Sequence, residues 1–326
     1  MMSKLEKYIE AFSKLHTDRG RSRYTALTKH RAPHKPILLL SVIDLIEEGT
    51  INKNFIELTP ELGETFTLYW STVMPPEKKG KIVYPFFHLR KEGFWHLLPQ
   101  PGQKTILNNV REVSSIYRLM EMTAGATLDE DLFILLTNKE ERNILRTVLI
   151  QTYFDQSLTD NLLTQSKINV ESYKYSLGLL KKKEKFSESI FGEESYKEKA
   201  RDQGFRKAVV KAYDHRCAFC GIRIRTPDGH TVVDGAHIIP WSVSKNDKPQ
   251  NGLSLCKLCH WTFDEGLISI SNSYQILVSP RINVNNNIAG HLIMFERRDL
   301  FKPFDKYFWP AKESIAYHQS EKFRQK

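Results

Sequence analysis

The sequence predicts an α+β protein of two domains: an N-terminal domain of mixed helix and strand, and a C-terminal domain organised around a metal site. Three observations carry this. The chain's 326 residues exceed what one core of roughly 150 residues would use. Stretches with apolar residues at helical spacing are interspersed with short β-rich segments. All four cysteines lie beyond residue 216, as the Cys-x-x-Cys pairs Cys217/Cys220 and Cys256/Cys259.

The first element is an amphipathic helix with Leu5, Ile9, Phe12 and Leu15 on one face. A polar, basic stretch from His16 to Ala32 follows. Pro33-His34-Lys35-Pro36 then opens an apolar helix to about Glu48, ended by Gly49. From Ile51 to Leu98 the composition predicts short strands separated by turn formers, with Tyr84–Arg90 and Phe94–Leu97 as a hairpin. Residues 106–165 return to helical spacing. The stretch 166–200, with Lys181-Lys182-Lys183-Glu184-Lys185, has the polar, charged composition of a linker. The expected domains are therefore 1–165 and 201–326. The second starts with a helix over Phe205–Tyr213, has a strand at Val232–Ile239, and ends in an aromatic-rich segment, Phe301–Phe323, that packs back onto it.

At 40% hydrophobic and 26% charged residues, the chain has the composition of a globular protein rather than a disordered one. Its longest apolar stretch, Ile37–Ile46, is broken by Ser41 and Asp44 and falls far short of a bilayer span of roughly 20 residues. The N-terminus lacks the apolar region and cleavage site of a secretory leader. These features, with cysteines paired as for a metal rather than a disulfide framework, predict a cytoplasmic protein without a membrane partner.

The net charge of +10 is unevenly spread: residues 201–326 hold 19 basic and 12 acidic groups, whereas residues 1–165 hold 21 and 20. Within the nearly neutral part, Lys14–Lys35 carries seven basic residues against Asp18 alone. Clustered Lys and Arg of this kind track a phosphate backbone by displacing condensed counterions.

The two cysteine pairs are separated by 35 residues, and four thiolates can surround one zinc at about 2.3 Å. Such a site is coordinatively closed, so Cys217, Cys220, Cys256 and Cys259 are expected to hold a structural Zn²⁺. Within this frame lie Asp234-Gly235-Ala236-His237-Ile238-Ile239-Pro240-Trp241, then Asn251-Gly252-Leu253, then His260-Trp261-Thr262-Phe263-Asp264.

This order of His, Asn and His between zinc knuckles resembles the HNH (ββα-metal) nucleases. The resemblance implies phosphodiester hydrolysis, with His237 as general base. A neutral imidazole suits that task near pH 7. Asn251, placed between the second strand and the final helix, is implied to tie the loop to the base-bearing strand. His260 is implied to be a metal ligand, and Asp264, four residues on along a helix, can share its metal. Ala236 replaces the acidic or histidine ligand common before the base, so Asp234 is the nearest third ligand. One histidine with oxygen ligands suits Mg²⁺ or Mn²⁺.

In the N-terminal part, Arg31-Ala32-Pro33-His34-Lys35-Pro36 and Tyr84-Pro85-Phe86-Phe87-His88-Leu89-Arg90 resemble the sulfur-binding domain of phosphorothioate-dependent Type IV restriction endonucleases. Reading such a linkage requires an apolar cup for a polarisable sulfur and donors for the remaining charge. The resemblance implies Tyr84 and Pro85, with Phe86, at the cup and Arg31, His34 and Lys35 as donors. His88 stands where the family pattern has a small residue.

The sequence thus predicts a Type IV restriction endonuclease acting on phosphorothioate-modified double-stranded DNA. Two other readings stay open: a Type II-like enzyme on unmodified or base-modified DNA, and a DNA-binding protein with an inactive nuclease. One HNH site cuts one strand, so a double-strand break would need a homodimer or two nicks.

Overall fold

The computed structural model describes residues 2–181, 195–283 and 289–325. The chain divides into two compact units. The first comprises residues 1–170 with 226–230, and the second residues 171–225 with 231–326. Each has its own apolar core. Among the described residues, no helix is long and apolar enough to cross a membrane.

The first unit is mainly helical. Helix α1 (Lys4–Ser13) starts in a capping box, where the Ser3 hydroxyl accepts from the Glu6 amide and the Glu6 carboxylate accepts from the Ser3 amide. Helix α2 (His34–Glu47) is buried from Lys35 to Ile46 and packs against α3 (Pro60–Val73), α4 (Val83–His88), α7 (Glu130–Thr137) and α8 (Lys139–Tyr153). Short helices α5 (Lys104–Asn109) and α6 (Ile116–Met122) lie between strands β1 (Trp95–Pro99) and β2 (Thr123–Leu128), which pair antiparallel with Trp95 opposite Leu128.

The short strands expected over Ile51–Leu98 are corrected here. Nearly half of that stretch is helical, and the partner of β1 is β2 rather than Tyr84–Arg90. Its aromatic and threonine content resembles that of strands, but Leu62, Phe66, Tyr69 and Val73 recur at helical spacing and are all buried. Thr59 caps α3 by accepting from the Leu62 amide, and Pro60 occupies the first turn. In α4, Pro85 also falls in the first turn, where its missing N–H costs nothing.

Helix α9 (Thr159–Leu180) and helix α10 (Ser195–Ala212) take up most of the stretch expected as a linker; residues 182–194 of that stretch lie outside the described residues. The polar composition of α9 reflects what it buries. Ser166 and Asn169 are buried and donate to the Asp44 carboxylate at 2.6 and 2.9 Å, which also accepts from Tyr69 at 2.7 Å and Arg146 at 3.3 Å. Burial raises the Asp44 pKa, and these donors oppose the shift.

The second unit is built on an antiparallel hairpin of β3 (Val233–His237) and β4 (Gly252–Cys256), with Ala236 opposite Leu253. Helix α11 (Trp241–Ser244) lies in the hairpin's connection, and α12 (Lys257–Asp264) follows β4 and packs on both strands. Helix α10 crosses the hairpin at close quarters. A Cβ on Gly252 would meet Val209 Cγ2 at 2.4 Å, and one on Gly235 would meet Arg206 Cα at 2.8 Å; only glycine permits that approach. Strands β5 (Ile268–Ile270) and β6 (Ile276–Val278) form a second hairpin.

The C-terminal segment packs onto this unit through α13 (Lys312–Glu321), as its aromatic content predicts. Buried His318 stacks on Phe263 at 3.7 Å, accepts from Ser269 at Nδ1 and donates from Nε2 to the Phe263 carbonyl. Burial lowers its pKa to about 4, whereas an unfolded histidine titrates near 6.5. The unfolded chain therefore binds more protons between those values. The stabilisation is complete above about pH 6.5 and is lost as pH falls toward 4. The stability advantage of the native chain over His318→Gln should shrink by about 2 kcal/mol between pH 7.5 and 5. Urea unfolding of both proteins across that range checks this, and a constant difference would refute it.

Candidate active site

The four cysteine sulfurs all lie within 4.8 Å of one another, with Cys220 and Cys256 at 3.7 Å. A tetrahedral zinc with bonds of about 2.3 Å requires sulfur separations of roughly 3.8 Å, so the geometry fits. The first pair sits on a turn after α10, where the Cys217 amide donates to Ile222 and the Ala218 amide to Ser254. The second pair brackets the start of α12. A shared ion would thus clamp the turn to the end of the hairpin.

His237 ends β3, with its side chain 15% exposed. Phe205 of α10 stacks on its ring at 3.6 Å and 6°. Its Nε2 lies 2.8 Å from Oδ1 of Asp247, which also accepts from Arg201 at 3.0 Å; Oδ2 accepts from Arg201 and from Tyr175, each at 2.8 Å. Arg201 lies over the Trp241 ring at 3.9 Å. Burial pushes the Asp247 pKa up, but hydrogen bonds from His237, Arg201 and Tyr175 outweigh it and hold the carboxyl below its usual range.

Asn251 is fully buried in a 3₁₀ turn (Pro249–Asn251) that precedes β4. Its expected place between the second strand and the helix is therefore corrected. Its side chain accepts from the Ile239 amide at 3.0 Å and donates at 3.0 Å to the carbonyls of Ile239 and Asn246. With the Ile238 amide donating to the Asn251 carbonyl at 2.8 Å, this closes the loop after the histidine strand on itself.

His260 and Asp264 lie one turn apart on α12, His260 Nε2 being 3.5 Å from Asp264 Oδ2. Their side chains are 31% and 61% exposed, as ligands open to substrate must be. Asp234 is not brought to them. Its carboxylate pairs with Arg206 at 2.6 Å and accepts from the Gly235 amide. Among the described residues only the four cysteines form a group of three or more metal-binding side chains. A histidine and one carboxylate still fit Mg²⁺ or Mn²⁺, since Mg²⁺ keeps several waters and takes one or two protein carboxylates.

In the first unit, Tyr84 and His88 are one turn apart on α4 and both half-buried, so they share a face. His34, at the start of α2, lies against Trp70 with the rings tilted by 55° and 4.6 Å apart, and burial drops its pKa to about 4. Burial, then the charges of Lys91, Lys35 and Arg90, lower that of His88. Half-buried Arg31 faces the Tyr153 ring at 6.0 Å.

Residues 6–170, half of the chain, match the family described as ScoMcrA-like, DNA sulfur-binding domain. The chain belongs to this family. Residues 217–271 match an HNH endonuclease family, so the second unit carries an HNH endonuclease domain. A solved structure of a modification dependent TagI restriction endonuclease is 26% identical over 36% of this chain and 36% of its own length, with a TM-score of 0.27. The chain thus matches about a third of that protein. No curated protein matches it.

Within the sulfur-binding domain, three residues expected at the ligand are placed otherwise. Phe86 is fully buried, edge-on to Trp95 at 5.2 Å, and belongs to the core. Pro85 is buried. The Lys35 ammonium pairs with Glu92 and donates to the His16 carbonyl at 2.8 Å, leaving Lys35 8% exposed. Glu92 also takes the His16 amide and ring, which anchors the basic segment to α2. With its pKa lowered to about 4 by burial, His34 is neutral at pH 7.

In the HNH domain, sequence reasoning missed Tyr175, Arg201, Phe205 and Asp247. Asp247 lies in a polar run that resembles a turn, and the other three are carried by helices outside the matched segment.

Proposed function

We propose that this protein is a modification-dependent, Type IV restriction endonuclease that binds phosphorothioate-modified double-stranded DNA through its sulfur-binding domain and hydrolyses phosphodiester bonds with its HNH domain. The observation that carries this reading is the pairing, in one chain, of a sulfur-binding domain with an HNH domain that contains His237, Asn251 and His260.

His237 takes a proton from the attacking water, and Asn251 keeps the loop behind it closed. His260 and Asp264 would hold Mg²⁺ or Mn²⁺, which stabilises charge on the phosphate and the leaving oxygen when bound. The four cysteines would hold the structural Zn²⁺. At the reader, Tyr84 offers an apolar face to sulfur while neutral His34 and Arg31 donate hydrogen bonds. A weakly hydrated sulfur loses less on entering such a site than a phosphate oxygen does.

A gel shift of the zinc-loaded full chain without Mg²⁺ or Mn²⁺, on duplexes identical except for one Rp phosphorothioate and at a fixed salt concentration, tests the reading. Binding at least tenfold tighter to the sulfur duplex is expected. Equal affinity would overturn the phosphorothioate assignment and favour a reader of ordinary or base-modified DNA, with His88 filling the cup.

A further inference from the structure

The reading of His237 as base leaves open which ring nitrogen takes the proton. Asp247 answers this. Its side chain is 3% exposed, and its two oxygens receive His237, Arg201 and Tyr175 at 2.8–3.0 Å. An ionised carboxylate only accepts hydrogen bonds, so His237 Nε2 must carry a proton, and the neutral ring then has its lone pair on Nδ1.

We propose that Asp247 is a positioning residue that fixes His237 as the Nε2–H tautomer, so that Nδ1 is the nitrogen that takes the water proton; this rests on the assignment of His237 as the base. One water O–H bond breaks and an Nδ1–H bond forms. The resulting imidazolium keeps its Nε2–H on Asp247, whose charge is then matched by two cations rather than one.

The support around Asp247 is layered. The Arg201 guanidinium is 6% exposed at its side chain and is sandwiched between the carboxylate and the Trp241 ring, so it cannot swing away to solvent. Phe205, one helical turn after Arg201 on α10, stacks on the imidazole and sets the ring plane while Asp247 sets the ring's rotation. Together they leave the ring one orientation, which is the preorganisation that proton transfer in a fixed geometry requires.

Two measurements test the assignment. Selective ¹⁵N labelling of histidine in the native, zinc-loaded full chain, with His237 assigned by its absence from His237→Ala, should show a protonated Nε2 and a bare Nδ1 in the neutral ring. The opposite tautomer would overturn the assignment without any variant having to fold at Asp247. Asp247→Asn places an amide where Arg201 and Tyr175 both donate, and frees the ring to flip. Single-turnover cleavage should fall about 10²–10⁴-fold while the Kd for the duplex changes less than threefold. Cleavage by Asp247→Asn within threefold of native would sink the role of Asp247. If His237→Ala were inactive at the same time, the base reading would stand alone; if His237→Ala still cleaved, the base reading itself would fall.

Discussion

His237→Ala should lower the single-turnover cleavage rate about 10²–10⁴-fold, the span a positioned general base contributes, with DNA affinity and zinc content unchanged. The expectation follows from where the ring sits. It closes the β3 strand, is braced by Phe205 and Asp247, and remains partly open at 15% exposure. A histidine kept only for packing would be sealed, as buried His318 is. Removing the ring leaves the sulfur-binding domain untouched, so binding and cleavage should separate cleanly. Measuring both on the same phosphorothioate duplex decides the matter, and a variant that cleaves within tenfold of native would show that another group activates the water.

Cys256→Ser should cost the second unit its fold rather than merely its activity. Structural zinc sites contribute roughly 10–16 kcal/mol of apparent binding free energy, which matches or exceeds the 5–15 kcal/mol stability of a typical domain. Cys256 ends β4 opposite Val233 and begins the turn into α12. Losing it would release the turn at Cys217 and the helix bearing His260 together. The first unit has a separate core and should keep its own melting transition. Elemental analysis for zinc and calorimetry of the variant check this; a full zinc complement with both transitions intact would refute a structural role for the site.

What was legible in the sequence was the chemistry with fixed local spacing. Two Cys-x-x-Cys pairs, a histidine on a strand and His260/Asp264 one turn apart are short-range patterns, and the structure keeps each of them, with the strand ending at His237 rather than Ile239. The polar network behind His237 was not legible, because Tyr175, Arg201 and Asp247 come from three separate elements and acquire meaning only when α10 crosses the hairpin. A similar problem affected the reader. Lys35 and Glu92 are 57 positions apart, so a lysine that looks free in the sequence is in fact paired. Composition misled in two places: aromatic residues suggested strands where helices α3 and α4 bury them, and a polar, charged run suggested a linker where α9 turns Ser166 and Asn169 inward onto Asp44.

The crossing of α10 over the hairpin has a practical consequence for protein engineering. The recognisable nuclease segment spans residues 217–271 and includes Asp247, yet Phe205, which stacks on its histidine, and Arg201 and Tyr175, which donate to Asp247, lie before it. A cleavage cassette excised at the motif's edge and grafted onto another targeting module would carry the histidine and Asp247 without the three groups that brace them. The transferable cutter begins at residue 171, where the compact unit begins.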